Sequence, residues 1–126
     1  MTKEKKLGIW MDHSTAQPIE YKGNTRMNVV ESNFTRDSKS DSLGRSEHMM
    51  HNKEQHQQAE YFKKLGEAIR NYDEVILFGP TNAKAELHNI LKADHRFSHI
   101  KIDTKPADKM SYDHQHTFVQ DYFSQN

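Results

Sequence analysis

The densest group of side chains that could do chemistry lies at residues 47–56, which read EHMMHNKEQH. His48 and His51 are three residues apart and His56 lies about two helical turns beyond His48, so all three could point to one side of a helix. Such a cluster could share a metal ion, although a closed site needs three or four ligands. It could instead contact RNA phosphates or stack on bases. We favour a third interpretation, a solvated polar start of a helix.

A carboxylate follows an apolar run near the start of the chain, at Asp12 in IWMDHS. Together with carboxylates such as Glu47, Glu54 or Glu60, it could hold two metal ions that clamp a phosphodiester. The fourth predicted strand ends at Gly79 and supplies no carboxylate to such a site. Because Asp and Ser dominate tight turns, we favour Asp12 as a turn former. A metal-dependent phosphodiesterase, or a His-rich metal-binding module, remains the alternative function.

The stretch FGPTNAKAEL, residues 78–87, joins an apolar run to a helical pattern. A glycine turn before a helix N-terminus can bind an anion, since free N–H groups and the helix dipole point outward there. This stretch lacks the glycine-rich, lysine-bearing loop of a nucleotide site, although Lys84 could supply one positive charge. We therefore predict an ordinary corner between a strand and a helix, with Thr81 as the N-cap.

Alternating and helical patterns predict the elements that position these residues. Strands are expected at 6–14, 16–23, 26–34, 73–79 and 99–105, and helices at about 47–72, 81–94 and 111–125. Pro18 suits an edge or a bulge of the second strand. The order β-β-β-α-β-α-β-α is that of the ribonuclease H-like α/β fold, with a three-strand antiparallel meander in a five-stranded mixed sheet. The helical positions expected to face the core are Ala59, Phe62, Leu65, Ile69, Tyr72, Ala83, Leu87, Ile90, Leu91, Phe118, Val119, Tyr122 and Phe123.

Composition limits the classes of function. The chain has 126 residues, which fits one domain spanning 1–126, and it contains no cysteine, so thiolate catalysis and disulfides are excluded. The 18 Lys and Arg residues balance 18 Asp and Glu residues, which argues against a general polyanion binder. Neither a secretory signal nor an apolar span of membrane length is visible. We expect a cytoplasmic protein without a cofactor.

A resemblance to known proteins rests on three segments. VILFGPTNAKAELHNIL, residues 75–91, is similar to the middle domain of eukaryotic and archaeal class-1 release factors, where an apolar strand also runs into a Gly-containing corner and a helix. SLGRSEHMMHNKEQHQQAEYFKKLGEAI, residues 42–69, looks like the loop and long helix of that domain. The IWMDH start and the FVQDYF ending resemble short, stand-alone bacterial proteins labelled translational machinery proteins.

The resemblance implies a role in translation without the chemistry of a release factor. A release factor carries Gly-Gly-Gln in the loop, whereas SLGRSE, residues 42–47, has one glycine and no glutamine. The implied function is a non-enzymatic module that binds the ribosome or tRNA, related to rescue, stress or hibernation. A polar, mobile loop at about 35–47 and the helix after it would face RNA, although interleaved acidic residues weaken the attraction. The RNA-binding candidates are Arg36, Lys39, Arg45, His48, His51, Lys53, His56 and Lys84.

Overall fold

The computed structural model of the protein describes residues 5–23, 25–32 and 47–124, and for residues 47–57 it describes the backbone alone. Five strands are present: β1 (Lys6–Met11), β2 (Thr15–Glu20), β3 (Val30–Glu31), β4 (Glu74–Gly79) and β5 (Lys101–Pro106). The helices are α1 (Glu47–Ile69), α2 (Ala83–Lys92) and α3 (Tyr112–Ser124), with a 3-10 turn at His95–Phe97. No described helix is long and apolar enough to cross a membrane.

The strands form one mixed sheet in the order β3-β2-β1-β4-β5. The β1–β2 and β2–β3 pairs are antiparallel, whereas β1–β4 and β4–β5 are parallel. This topology confirms the predicted fold class, including the antiparallel meander. The continuous apolar run of β4 is explained because the strand is central and is covered on both faces.

Helices cover both faces of the sheet. Helices α1 and α2 pack on the face that presents Leu7, Ile9 and Met11, and they form the larger hydrophobic cluster. Helix α3 packs on the other face, where Val119 and Phe123 contact the cluster around Trp10. A Cβ at Gly8 would overlap the Cγ2 atom of Val119, so the glycine allows α3 to approach β1 closely.

Strand β3 begins later than predicted: 26–34 was expected, the described strand is Val30–Glu31, and residues 33–34 lie outside the described part of the chain. Pro18 explains this difference. Its partner in β1 is Ile9. Hydrogen-bonded and non-bonded pairs alternate along β1 and β2, and the Tyr21 N–H donates to the Lys6 carbonyl, so Pro18 and Ile9 form a non-bonded pair. The Pro18 nitrogen therefore faces β3. Since proline has no N–H to donate, the β2–β3 ladder ends at the Ala16–Val30 pair. Strand β2 is not an edge strand, but at Pro18 it is paired with β1 alone.

Two further sequence predictions need correction, and a third is not tested. The N-cap of α2 is Asn82 instead of Thr81, although the Thr81 hydroxyl still accepts a hydrogen bond from Ala83 N–H at 3.2 Å. Ala59 and Ile90 were expected in the core but are exposed, because no described element covers them. The predicted loop at about 35–47 lies almost wholly outside the described residues.

Candidate nucleic-acid interface at the carboxyl edge of the central strands

Asp12 lies where β1 ends, at the carboxyl edge of the parallel strands β1 and β4. Its Oδ1 atom accepts hydrogen bonds from Ser14 N–H at 2.7 Å and Thr15 N–H at 2.8 Å. These bonds satisfy two backbone donors of the β1–β2 turn. The carboxylate therefore acts as a turn former, which is the role favoured from the sequence.

A second pair of side chains, missed in the sequence, joins this turn to α2. The His13 Nε2 atom lies 2.7 Å from Glu86 Oε2, and the two side chains are 43% and 49% exposed. An exposed pair of this kind contributes at most about 1 kcal/mol to stability. The sequence indicated only that His13 follows Asp12 at the end of an apolar strand. The partner of His13, Glu86, is 73 residues away and could not be identified from that pattern.

Tyr61 fixes the middle of α1 to the same edge. Its hydroxyl donates to the Asp12 carbonyl at 2.9 Å, and the residue is 1% exposed. Burial, followed by the negative charge of Asp12, raises the pKa of Tyr61 well above its ordinary value. The phenol therefore stays protonated and serves as a donor that anchors the helix.

The direction of α1 follows from a second anchor. The Tyr72 hydroxyl, just after the helix, donates to Glu20 Oε2 at 2.8 Å, and Glu20 pairs with Leu7 near the amino end of β1. Helix α1 thus runs from the carboxyl edge toward the amino edge of the sheet. Its first 14 residues, 47–60, precede Tyr61 and extend the helix on the carboxyl-edge side by about 21 Å.

The corner after β4 has a structural explanation. A Cβ at Gly79 would overlap the Met11 carbonyl oxygen, so glycine is needed where β4 passes the end of β1. At the start of α2, the Lys84 ammonium donates to the Thr81 carbonyl within its own turn. Glu86 adds a negative charge to the first turn, which disfavours a bound anion. The geometry agrees with the predicted strand-to-helix corner.

The predicted site residues are described to different extents. Lys84 and Asp12 lie at the carboxyl edge, and the α1 backbone carries His48, His51, Lys53 and His56 on the same side. The side chains of those four residues, and all of Arg36, Lys39 and Arg45, lie outside what is described. Among the described residues, no three His, Asp or Glu side chains form a group that could hold a metal.

Cations also lie over aromatic rings on the α3 face. The Arg26 guanidinium is 4.1 Å from the centroid of Tyr112, and the Lys22 ammonium is 5.4 Å from that of Tyr21. Binders of single-stranded RNA stack bases on such rings, but here the chain's own cations already lie over them. The Arg26–Tyr112 contact joins the start of α3 to the segment before β3, whereas Lys22 and Tyr21 are neighbours in the chain, and we give neither contact a binding role.

The fold and the carboxyl edge define the class: an α/β domain with a 3-2-1-4-5 mixed sheet and helices on both faces. Among solved structures it is similar to Pelota from Archaeoglobus fulgidus, with a TM-score of 0.59 at 9% sequence identity. The similarity covers 98% of this chain and 32% of Pelota, so the chain spans about a third of that protein. No family model and no curated protein matches the sequence. At this identity the likeness concerns the fold alone.

Proposed function

We propose that this protein is a non-enzymatic, translation-associated module that binds the ribosome or tRNA. The observation that carries the proposal is the direction of α1. Its polar first half lies at the same edge of the sheet as the N-terminus of α2. One further observation supports it, the similarity of the fold to a part of Pelota. It agrees with the resemblance to the middle domain of release factors that we infer from the sequence.

The chemistry of the proposed contact is electrostatic, with a contribution from imidazole rings. Arg36, Lys39, Arg45 and Lys53 would contact phosphates, and the histidines of residues 47–56 would contact phosphates or bases. With four phosphate contacts, a plot of the logarithm of the binding constant against the logarithm of the salt concentration would have a slope of about −3 to −4. The acidic residues between them should make the measured slope shallower.

Binding without hydrolysis fits the sequence of residues 42–47 and the contacts of Asp12. The segment 42–47 has no Gly-Gly-Gln, and the Asp12 carboxylate already accepts two backbone hydrogen bonds. Neither feature supplies an activated water for cleaving a tRNA ester or a phosphodiester. Rescue of stalled ribosomes, a stress response or ribosome hibernation would be the narrower role.

Co-sedimentation with ribosomes and subunits through sucrose gradients, over a series of salt concentrations, tests the proposal. We expect retention at low salt and loss at high salt. The double variant Arg45→Glu/Lys53→Glu should lose retention at every salt concentration. The matched control is Lys5→Glu/Lys92→Glu, which makes the same change in charge at exposed positions toward the amino edge.

The outcomes test the proposed function and the proposed contact residues separately. If the folded wild-type protein fails to co-sediment even at low salt, the proposed function is wrong. If the wild-type protein binds and the two double variants behave alike, the function stands but the contact lies on another surface. Loss in the Arg45/Lys53 variant with retention in the control supports both.

A further inference from the structure

A groove opens on the surface between α1, the end of α2 and the 3-10 turn. Its cavity volume is about 300 Å³, at the lower end of the range for small-molecule sites. The lining is mainly apolar and includes Ala59, Phe62, Gly66, Ile90, Leu91 and Phe97. An apolar recess of this size is a site where an apolar ligand can be removed from water.

Two features keep this groove open. Gly66 faces it, and a Cβ there would be 3.3 Å from Phe97 Cζ and 3.5 Å from Leu91 Cδ2. Ile90 continues the apolar stripe of α2 but is 51% exposed, and Ala59 is exposed across from it on α1. Both were predicted to be core residues. The helices therefore present apolar positions that the described part of the chain does not cover.

The charges at the groove are unequal. Lys63, Arg70 and Arg96 line it together with the two carboxylates Glu67 and Asp94. The carboxylate of Asp94 is bound by Arg96 at 2.8 Å, and these hydrogen bonds lower the pKa of Asp94 to about 2. Within the described residues, neither Lys63 nor Arg70 has an ion-pair partner. The α1 side of the groove thus carries two cations and the Glu67 carboxylate, whose charge also acts on Arg96. With Arg96 and Asp94 paired, the remaining charge of the lining is positive, which favours an anionic ligand.

The length of the groove suits an extended ligand. The lining residues of α1 run from Ala59 to Arg70, a length of about 16 Å at 1.5 Å per residue. An extended hydrocarbon chain has no polar atoms to leave unpaired and can lie along this length against the apolar lining.

We propose that this groove binds a small amphipathic carboxylate, with the carboxylate at Arg70 near one end and a linear apolar chain along the floor toward Ala59, past the Lys63 ammonium. Phe62, Leu91 and Phe97 would contact the chain, and the exposed face of Ile90 would cover it. The Arg70 guanidinium can bind a carboxylate through two parallel hydrogen bonds. This inference does not depend on ribosome binding, because no residue that lines the groove is among the proposed RNA contacts.

Decanoate, below its micelle concentration, is a suitable probe, and decyltrimethylammonium is the control with the same chain and opposite charge. Titration calorimetry should give saturable 1:1 binding of decanoate and at least tenfold weaker binding of the cation. Backbone NMR signals of 59–70 and 90–97 should shift. The Trp10 indole signal should not, because Trp10 lies in the cluster on the other face of the sheet.

Variants test the two parts of the site. Ile90→Asp and Arg70→Gln should each weaken decanoate binding at least tenfold, and both change exposed residues, so the fold should survive. Val29→Asp and Lys109→Gln are matched controls at exposed positions off the groove and should change nothing. Absence of saturable decanoate binding, equal affinity for the cationic analogue, or full affinity in Ile90→Asp would each overturn the proposal.

Discussion

Replacement of Gly8 by alanine tests whether α3 is as close to β1 as the structure has it. The new Cβ would overlap Val119 Cγ2 and lie 3.0 Å from Val119 Cγ1. Val119 is fully buried, and a β-branched side chain in a helix has one strongly preferred rotamer, so it cannot turn aside. The helix itself must move, which loosens its contacts with the sheet.

The magnitude can be worked from these contacts. Overpacking of a close-packed core costs about 1–3 kcal/mol. The lower entropy of the unfolded chain with alanine returns about 0.4–1 kcal/mol, so we expect Gly8→Ala to lower the free energy of unfolding by about 1–2 kcal/mol. Val119→Ala removes two buried methyl groups and should cost about 2 kcal/mol. In the double variant the methyl group introduced at position 8 fills the space vacated by the valine side chain, so the total cost should fall about 1–2 kcal/mol below the sum.

Urea unfolding of the four proteins measures this coupling. Trp10 is the single tryptophan and lies in the same cluster as Val119, so its fluorescence reports on this layer, and far-UV circular dichroism reports on the whole chain. Coincident transitions would justify two-state free energies. Additive costs in the double variant, or a Gly8→Ala protein as stable as wild type, would refute the close approach of α3.

Other predictions concern single contacts. Tyr61→Phe removes the hydrogen bond to the Asp12 carbonyl and should lower the free energy of unfolding by about 1 kcal/mol. The control Tyr21→Phe, whose hydroxyl has no described hydrogen bond, should have little effect. Equal urea midpoints for the two variants would contradict the prediction. Hydrogen bonds from Arg96 lower the pKa of Asp94 from 3.8 to about 2, so their stabilisation is complete above about pH 4 and is lost as pH falls through 2. The stability difference between wild type and Asp94→Asn, measured by urea unfolding from pH 6 to 2, should therefore shrink over that window. A difference independent of pH would show that the charge of Asp94 plays no part.

The element order was predictable because strands and helices space their buried apolar residues differently, at every second residue in a strand and at every third or fourth in a helix. Leu7, Ile9 and Met11 alternate along β1 and all lie in one cluster, and the unbroken apolar run of β4 matches its central position. The length of β3 was not predictable in the same way. It depends on which side of β2 the Pro18 nitrogen faces, and that is set by the register with β1.

The candidate site was predictable in part. Asp12 as a turn former depends on neighbours close in sequence and agrees with the structure. The corner at Gly79 also agrees, but the need for glycine there comes from the Met11 carbonyl on β1, which the sequence does not reveal. The role of Tyr61 was missed, because its partner lies 49 residues away. Burial at Ile90 was predicted wrongly, because helical spacing identifies an apolar face without showing that another element covers it.

The sequence by itself determined the α/β class, the order of elements, the lack of cysteine chemistry and the lack of a Gly-Gly-Gln loop. These properties depend on residue types and on periods of a few residues. Tertiary structure alone decided that His13 meets Glu86, that α1 runs from the carboxyl to the amino edge, and that a groove remains between α1 and α2. Those features depend on strand register and helix packing, which bring together side chains far apart in the chain.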